Sequence, residues 1–171
     1  MYKTILIAID GSPVSDAALR HAIALAQDQR AHLHIVHVVD IMGMPWADLG
    51  ESVEVDMLTI YRQQGQSILD RALAQATHAG LPATSTLLES ESVGQRVAEL
   101  LADQASAVSA DLVVLGSHGY RGLSRLFLGS VAEGTSRLSA VPVLIVHGAA
   151  SKHNEAASTR THSSALNKPG S

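Results

Sequence analysis

Residues 115–134, LGSHGYRGLSRLFLGSVAEG, concentrate glycine and positive charge in one segment of this 171-residue chain. Gly116 and Gly119 allow positive φ and let a bound group approach the main chain, where successive exposed N–H groups can hold an anion. Ser130 stands where a helix is predicted to begin, and a helix N-terminus offers unpaired N–H donors to phosphate. With Arg121 and Arg125 nearby, the segment has the parts of a phosphate-binding loop.

The same segment also has a purely structural interpretation. Residues 130–133, SVAE, match a capping box, in which Ser130 and Glu133 satisfy the N–H groups of their own helix. The spacing is not that of a P-loop, since no Gly-Lys-Ser/Thr follows the glycines, and a Rossmann fingerprint would follow the first strand. Spacing alone leaves phosphate binding and a structural turn equally open.

Outside this segment, apolar runs alternate with amphipathic stretches. Runs rich in β-branched residues predict strands at 4–9, 32–39, 112–116 and 141–147, with a weaker one at 83–90. Helical periodicity predicts helices over 13–29, 53–79 and 92–107, and a last helix from Ser130. The alternation predicts a doubly wound, Rossmann-like α/β fold. Its open five-stranded parallel sheet has the order 3-2-1-4-5, with helices on both faces.

Two chain segments are predicted to meet at one edge of this sheet. Strand 1 ends at Asp10 and strand 4 at Gly116, and ligands of such folds bind outside the carboxyl ends of the strands. Asp10 is therefore a candidate ligand or metal contact, although DGS is also a good turn and helix-cap sequence.

Pro142 belongs near the start of strand 5 or on a sheet edge, because proline lacks an N–H donor.

Composition narrows the class of protein. The net charge of −4, from 16 acidic and 12 basic residues, argues against nucleic-acid binding. The absence of cysteine excludes disulfides and thiolate metal sites, and no apolar run approaches the ~20 residues of a membrane span. We therefore expect a cytoplasmic protein with one domain over residues 1–147. The tail, 148–171, has almost no large apolar side chains and is predicted to be disordered.

Several other polar and aromatic residues invite a functional interpretation. His32, His34 and His37 lie on one predicted strand, where satisfied core or strand-end histidines are commoner than a zinc site. His118 is equally compatible with a phosphate contact and with a solvent-facing turn. The connection 40–54, which contains Trp46, is equally compatible with a lid and with a surface excursion.

The spacing Gly116-x2-Gly119-x9-Gly129-Ser130 resembles the nucleotide-binding signature of the universal stress protein family, in its ATP-binding branch. The opening ILIAIDGSPVSDAAL, the HVVD that ends strand 2 and the final VPVLIVH are also similar to that family. The resemblance covers residues 1–147. It is specific because the motif, the order of elements and both ends agree.

The resemblance implies a role for each matching residue. Ala8 and Val38 match positions beside adenine, with the backbone of Val38 reading the base. Asp10 matches the acidic residue near the ribose and the metal-bound phosphates, and thus an indirect ligand of Mg²⁺. The remaining positions contact the ribose and phosphates; they are Gly116, Gly119, Gly129, Ser130 and Val131.

The function implied by the resemblance is that of a homodimeric stress-response or signalling protein that binds ATP, with ADP and AMP as alternatives. The dimer would pair strand 141–147 with its copy, and a further protein partner is unidentified. A slow ATPase or phosphotransferase is the first alternative, with Asp10 holding Mg²⁺, Arg121 or Arg125 neutralising charge and Glu133 as the nearest base. An interaction module that does not use ATP is the second.

Overall fold

The computed structural model describes residues 1–40, 51–90, 96–119 and 128–148, with the backbone alone for 51–56. The predictions for Trp46, Arg121, Arg125 and the tail beyond residue 148 lie outside the described residues. Strands and helices alternate along the chain, in the order β1 (Thr4–Ala8), α1 (Pro13–Gln29), β2 (His32–Val39), α2 (Glu51–His78), β3 (Ala83–Glu89), α3 (Val97–Ala107), β4 (Leu112–Gly116), α4 (Ser130–Leu138) and β5 (Val143–Val146).

The five strands form one parallel sheet in the order β3-β2-β1-β4-β5, which confirms the predicted topology. Thr4 lies opposite His32 at the start of the β1–β2 ladder, and Ala8 lies opposite Val36 at its end. All carboxyl ends of the strands therefore lie at one edge of the sheet, which we call the carboxyl edge.

A hydrophobic core lies on each face of the sheet. On one face, Ile5 and Ile7 of β1 pack with Leu19 of α1 and Leu69 of α2. On the other face, strand residues including Leu6 and Val113 pack with Leu101 of α3 and Ala132 of α4. Because helices cover both faces, the inner strands carry apolar residues in succession, as the sequence predicts for a buried parallel sheet.

The first helix shows how local sequence sets the element boundaries. Ser12 caps α1 by accepting a hydrogen bond from the N–H of Ser15 (3.2 Å), and Pro13 occupies the first turn, where its missing donor costs nothing. Arg30 ends the helix in the left-handed conformation, with φ 53°. None of the helices in the described ranges is both long and apolar enough to span a membrane.

Most predicted boundaries agree with the structure to within two residues. β1 ends at Ala8 instead of Ile9, because the chain turns at Gly11 with φ 77°. β5 is shorter than the predicted 141–147 and begins at Val143, directly after Pro142, so the proline lies where its missing donor is tolerated. α3 is described from Val97, and residues 91–95 of its predicted range lie outside the described residues.

Candidate functional site

The candidate site lies at the carboxyl edge, where the loop after β1 meets the loop after β4. A Cβ atom built on Gly119 would lie 2.5 Å from Oδ2 of Asp10, so the Asp10 carboxylate rests against the main chain of the second loop. The N–H of Gly129 donates to the carbonyl of Ser117 (2.8 Å), which ties the start of α4 to the same loop. The predicted meeting of the two loops is therefore present in the structure.

The Asp10 side chain takes part in the turn that starts α1. Its Oδ1 accepts a hydrogen bond from the N–H of Ser12 (3.0 Å), and its own N–H donates to Oγ of Ser15 (3.3 Å). Ser12 and Ser15 are both buried. This turn holds the carboxylate in place at the edge of the sheet, with Oδ2 directed at Gly119.

The three glycines of the motif serve close packing instead of unusual backbone dihedrals. Among the described residues, positive φ occurs in glycine only at Gly11 and Gly80, so neither Gly116 nor Gly119 uses the positive φ that glycine allows. A Cβ on Gly116 would lie 3.0 Å from a methyl group of Val14. A Cβ on Gly129 would lie 3.2 Å from Cα of His118. Gly116 and Gly129 thus face protein, whereas Gly119 faces the Asp10 carboxylate.

No side chain in the described part of the chain caps the N-terminus of α4. The cap residue is Gly129, so Ser130 is the first residue inside the helix and the predicted capping box at 130–133 is wrong. The Glu133 carboxylate does not reach back along the helix but pairs with Arg137 at 2.7 Å. Backbone bonding begins with the N–H of Glu133, which donates to the carbonyl of Gly129 (2.9 Å).

An uncapped helix start has a direct chemical consequence. The N–H groups of Ser130, Val131 and Ala132 precede the first intrahelical hydrogen bond, and Ser130 and Val131 are exposed. Three N–H donors, the Ser130 hydroxyl and the positive end of the helix dipole therefore lie together at the carboxyl edge. This arrangement suits a phosphate or carboxylate group.

His118 lies between Gly119 and the start of α4. Its Nδ1 is 2.9 Å from Oγ of Ser117, a side chain that is only 2% exposed. The ring contacts a buried hydroxyl, and the residue itself is half-buried, so His118 is partly enclosed at this turn. The role of Ser117 was missed from sequence, where a serine between two motif glycines carries no distinguishing signal.

Val38 and Ala8 lie on the sheet face covered by α3 and α4, and both side chains are half-buried. The carbonyl of Val36 accepts the N–H of Ile9 (2.9 Å), so the polar backbone groups of Val36 point toward β1. Val38, two residues further along β2, directs its N–H and C=O to the same side. The last ladder pair is Ala8 with Val36, so these groups of Val38 face the opening where β1 leaves the sheet.

The carboxyl edge also carries an ion pair that the sequence did not reveal. Arg62 of α2 donates from Nε and Nη2 to the two carboxylate oxygens of Glu89, each at 2.7 Å. These hydrogen bonds lower the pKa of Glu89 below its usual value. Helical periodicity could not predict this pair, because Glu89 lies on β3, 27 residues away in sequence.

The histidines of β2 are held by hydrogen bonds. Nδ1 of His34 lies 2.8 Å from Oγ1 of Thr84, and Nε2 of His32 lies 2.9 Å from the same hydroxyl. Nε2 of His34 also lies 3.0 Å from Nε2 of Gln104, on α3. These contacts agree with the prediction of satisfied core and strand-end histidines.

Comparison with known proteins places these observations in a family. The family model described as the universal stress protein family matches residues 1–147. Universal stress protein YxiE of Bacillus subtilis is 34% identical over 152 residues, covering 85% of this chain and 99% of that protein. Universal stress protein MJ0531 of Methanocaldococcus jannaschii is 33% identical over 149 residues, covering 85% of this chain and 82% of that protein.

Solved structures agree with the sequence comparison. The crystal structure of a universal stress protein family member from Burkholderia pseudomallei has a TM-score of 0.67 and 35% identity, covering 84% of this chain and 95% of that one. A universal stress protein solved in complex with cAMP has a TM-score of 0.60 and 27% identity, covering 86% and 98%. A universal stress protein from Archaeoglobus fulgidus, in complex with dAMP, shares the fold at 22% identity, with a TM-score of 0.58 and coverage of 85% and 98%. From the family match, the relatives above 30% identity and the common fold, we conclude that this chain belongs to the universal stress protein family.

Proposed function

We propose that this protein binds ATP at the carboxyl edge of its sheet and acts in a stress response or in signalling through ligand occupancy. Structural relatives that contain cAMP or dAMP support an adenine nucleotide as the ligand class. The triphosphate is favoured over ADP and AMP because the α4 N-terminus offers several donors beyond the Asp10 turn. The proposed site residues are Ala8, Asp10, Val38, Gly116, Gly119, Gly129, Ser130 and Val131.

The uncapped N-terminus of α4 is the observation that carries the proposal. A Ser, Thr, Asp or Asn cap accepts a hydrogen bond from the first-turn N–H groups through its side chain, whereas the cap residue here, Gly129, has no side chain that can do so. The helix start also packs on His118, next to the Gly119 that touches Asp10. Among the described residues no side chain accepts from the first turn of α4, and a phosphate group would supply these acceptors.

The order of the strand ends predicts where the base and the ribose of the nucleotide would lie. The N–H and C=O of Val38 form a donor–acceptor pair that matches the hydrogen-bonding edge of adenine. Asp10, between Val38 and the phosphate loop in the strand order, would lie near the ribose and contact a phosphate-bound Mg²⁺ indirectly. Carboxylate oxygen is a ligand type that suits this ion.

Binding is favoured over catalysis. A phosphoryl-transfer enzyme needs a base or an oriented water beside the phosphates. Glu133, the candidate base from sequence, pairs with Arg137 at 2.7 Å and belongs to the solvent-facing side of α4.

We also propose that two copies associate through the open edge of β5.

Titration calorimetry of nucleotide-free protein with Mg-ATP tests the proposal. We expect about one ATP per chain, with inorganic phosphate release near the background rate of ATP in buffer. In Ser130→Glu the carboxylate would repel the phosphates, and the affinity should fall at least about tenfold. An acidic residue in the first turn favours the helix itself, so the variant should remain folded.

Ser130→Gln is the matched control for Ser130→Glu, because glutamine has nearly the size of glutamate without its charge. Its affinity should stay within about threefold of wild type, a difference of less than ~1 kcal/mol. A side chain at Gly129 would be a poorer test, because its Cβ would press on the His118 backbone. Absence of binding in wild type, or equal affinities of the Glu and Gln variants, would contradict a phosphate site at α4.

A further inference from the structure

The end of the β1–β2 ladder contains an unusual hydrogen bond. Nδ1 of His37 lies 2.8 Å from the carbonyl oxygen of Ile9. A carbonyl can only accept, so Nδ1 carries the proton and donates it. In a regular parallel ladder this carbonyl would accept the N–H of Val38, because the preceding bond runs from Ile9 N–H to the Val36 carbonyl (2.9 Å). A side chain therefore takes the acceptor that the next backbone pair would use.

We propose that His37 is a positioning residue that holds this ladder open and reserves the N–H and C=O of Val38 for a ligand. No bond from Val38 N–H to Ile9 C=O occurs in the described ranges, and β1 pairing ends at Ala8. The reserved donor and acceptor lie in one plane, which fits the edge of a flat nitrogen heterocycle. The proposal rests on the proposed nucleotide function, and it names the residue that prepares the base-binding end of that site.

A glycine in the middle of α2 supports a dedicated place for the His37 ring. Gly65 lies inside the 28-residue helix Glu51–His78, where glycine costs about 1 kcal/mol relative to alanine. A Cβ at this position would lie 2.8 Å from Cδ2 of His37 and 2.8 Å from Cδ1 of Leu87. The helix thus accepts a poor helix former at the point where it crosses the imidazole.

The position of His37 links three parts of the molecule. Its ring connects α2, through Gly65, to the Ile9 carbonyl, and Ile9 immediately precedes Asp10. The Asp10 N–H donates to Oγ of Ser15, so both sides of the Ile9–Asp10 peptide are held by side chains and not by the sheet. The end of β1 can therefore diverge from β2 without leaving its carbonyl unsatisfied.

Amide hydrogen exchange followed by NMR tests the inference on the full-length protein without nucleotide. In wild type, the Val38 N–H should exchange at least about a hundredfold faster than the Val36 N–H, which bonds within the ladder. In His37→Leu the Ile9 carbonyl becomes available, so the Val38 N–H should pair with it and exchange at least about tenfold more slowly than in wild type. Gly65→Ala, which displaces the ring, should slow the exchange in the same direction.

His37→Asn is the rescue variant, because its side-chain amide nitrogen occupies nearly the same place as Nδ1 and also donates. Val38 exchange in this variant should match wild type. ATP affinity should fall about tenfold in His37→Leu and stay within about threefold in His37→Asn. His32→Leu, at the other end of β2, should leave both readouts unchanged.

The two readouts separate failure of this inference from failure of the proposed function. Slow exchange of the Val38 N–H in wild type, or unchanged exchange in His37→Leu, overturns the role of His37 even if ATP binds. If wild type binds no ATP, the nucleotide function fails, while the exchange rates still decide whether His37 keeps the ladder open. Equal ATP affinities of wild type and His37→Leu overturn the reservation of Val38 for the base.

Discussion

The buried serine and threonine side chains differ in whether their hydroxyl groups make hydrogen bonds. Ser12, Ser15 and Ser117 are buried, and each makes a hydrogen bond that orders a loop of the candidate site. Thr135 on α4 differs from them. Its side chain is fully buried, and its hydroxyl has no hydrogen-bond partner among the described residues. An unpaired buried hydroxyl destabilises the folded state, so Thr135 is a residue at which the fold is not optimised.

Thr135→Val should therefore stabilise the protein. Valine has nearly the same shape and removes the unpaired hydroxyl, so we expect the free energy of unfolding to rise by about 1 kcal/mol. Urea denaturation followed by circular dichroism measures the change. Thr135→Ser is the control, because it keeps the hydroxyl and loses a packed methyl group, and should be less stable than wild type. A Thr135→Val protein less stable than wild type would indicate that the hydroxyl finds a partner in solution.

The glycines of the phosphate-loop motif show the limit of prediction at this scale. Sequence predicted that 116, 119 and 129 belong to one loop system, because strand ends and helix starts are encoded locally. It did not predict that Gly116 and Gly129 face protein and that only Gly119 faces the Asp10 carboxylate. Two of those contacts, Gly116 with Val14 and Gly119 with Asp10, join residues about a hundred positions apart, and no local pattern reports them.

At the scale of elements, the prediction was accurate where apolar periodicity is strong. The bounds of α1 and β4 agree with the structure at both ends, whereas β5 is three residues shorter than its apolar run. Helical periodicity also accounts for the buried side of α1, where Ala18, Ala22 and Ala26 recur at intervals of four residues and are fully buried.

The element pair β2–α3 is joined by a histidine whose ionisation affects stability. Burial lowers the pKa of His34 below the usual value of 6.5, and the neighbouring His32 lowers it further. The Nδ1–H donates to Thr84 and Nε2 accepts from the Gln104 amide, an arrangement that requires the neutral ring. Unfolding therefore takes up a proton between the lowered pKa and 6.5.

It follows that His34 contributes its full share of stability above pH 6.5, and that this share is lost as the pH falls below 6.5 toward the lowered pKa. Urea unfolding at a series of pH values between about 7.5 and 5 measures the loss. His34→Gln should be less stable at neutral pH and should show a smaller decrease on acidification. His21→Gln, on the exposed side of α1, is the control and should keep the wild-type pH profile. Identical profiles in wild type and His34→Gln would contradict this role.

At the scale of the whole molecule, the two outer strands of the sheet, β3 and β5, differ in the helices that pack against them. α2 packs on one face of β3, and its Arg62 pairs with Glu89 at the end of that strand. At the other edge, Ser117 N–H donates to the Val146 carbonyl (2.8 Å), so even-numbered residues of β5 bond to β4. Val143 and Ile145 direct their N–H and C=O groups outward, and no strand in the described ranges pairs with them. An apolar strand edge of this kind favours association with a second strand.

The edge geometry gives a selective test of the proposed dimer. Ile145→Pro removes an outward N–H and no hydrogen bond to β4, so the fold should persist while pairing between copies is blocked. Light scattering coupled to size-exclusion chromatography should find a dimer in wild type and a monomer in Ile145→Pro. Ile145→Ala removes the side chain and keeps the N–H, and it should remain dimeric. If Ile145→Pro also eluted as a dimer, the two copies would associate through another surface, of which the exposed Leu138 on α4 marks one.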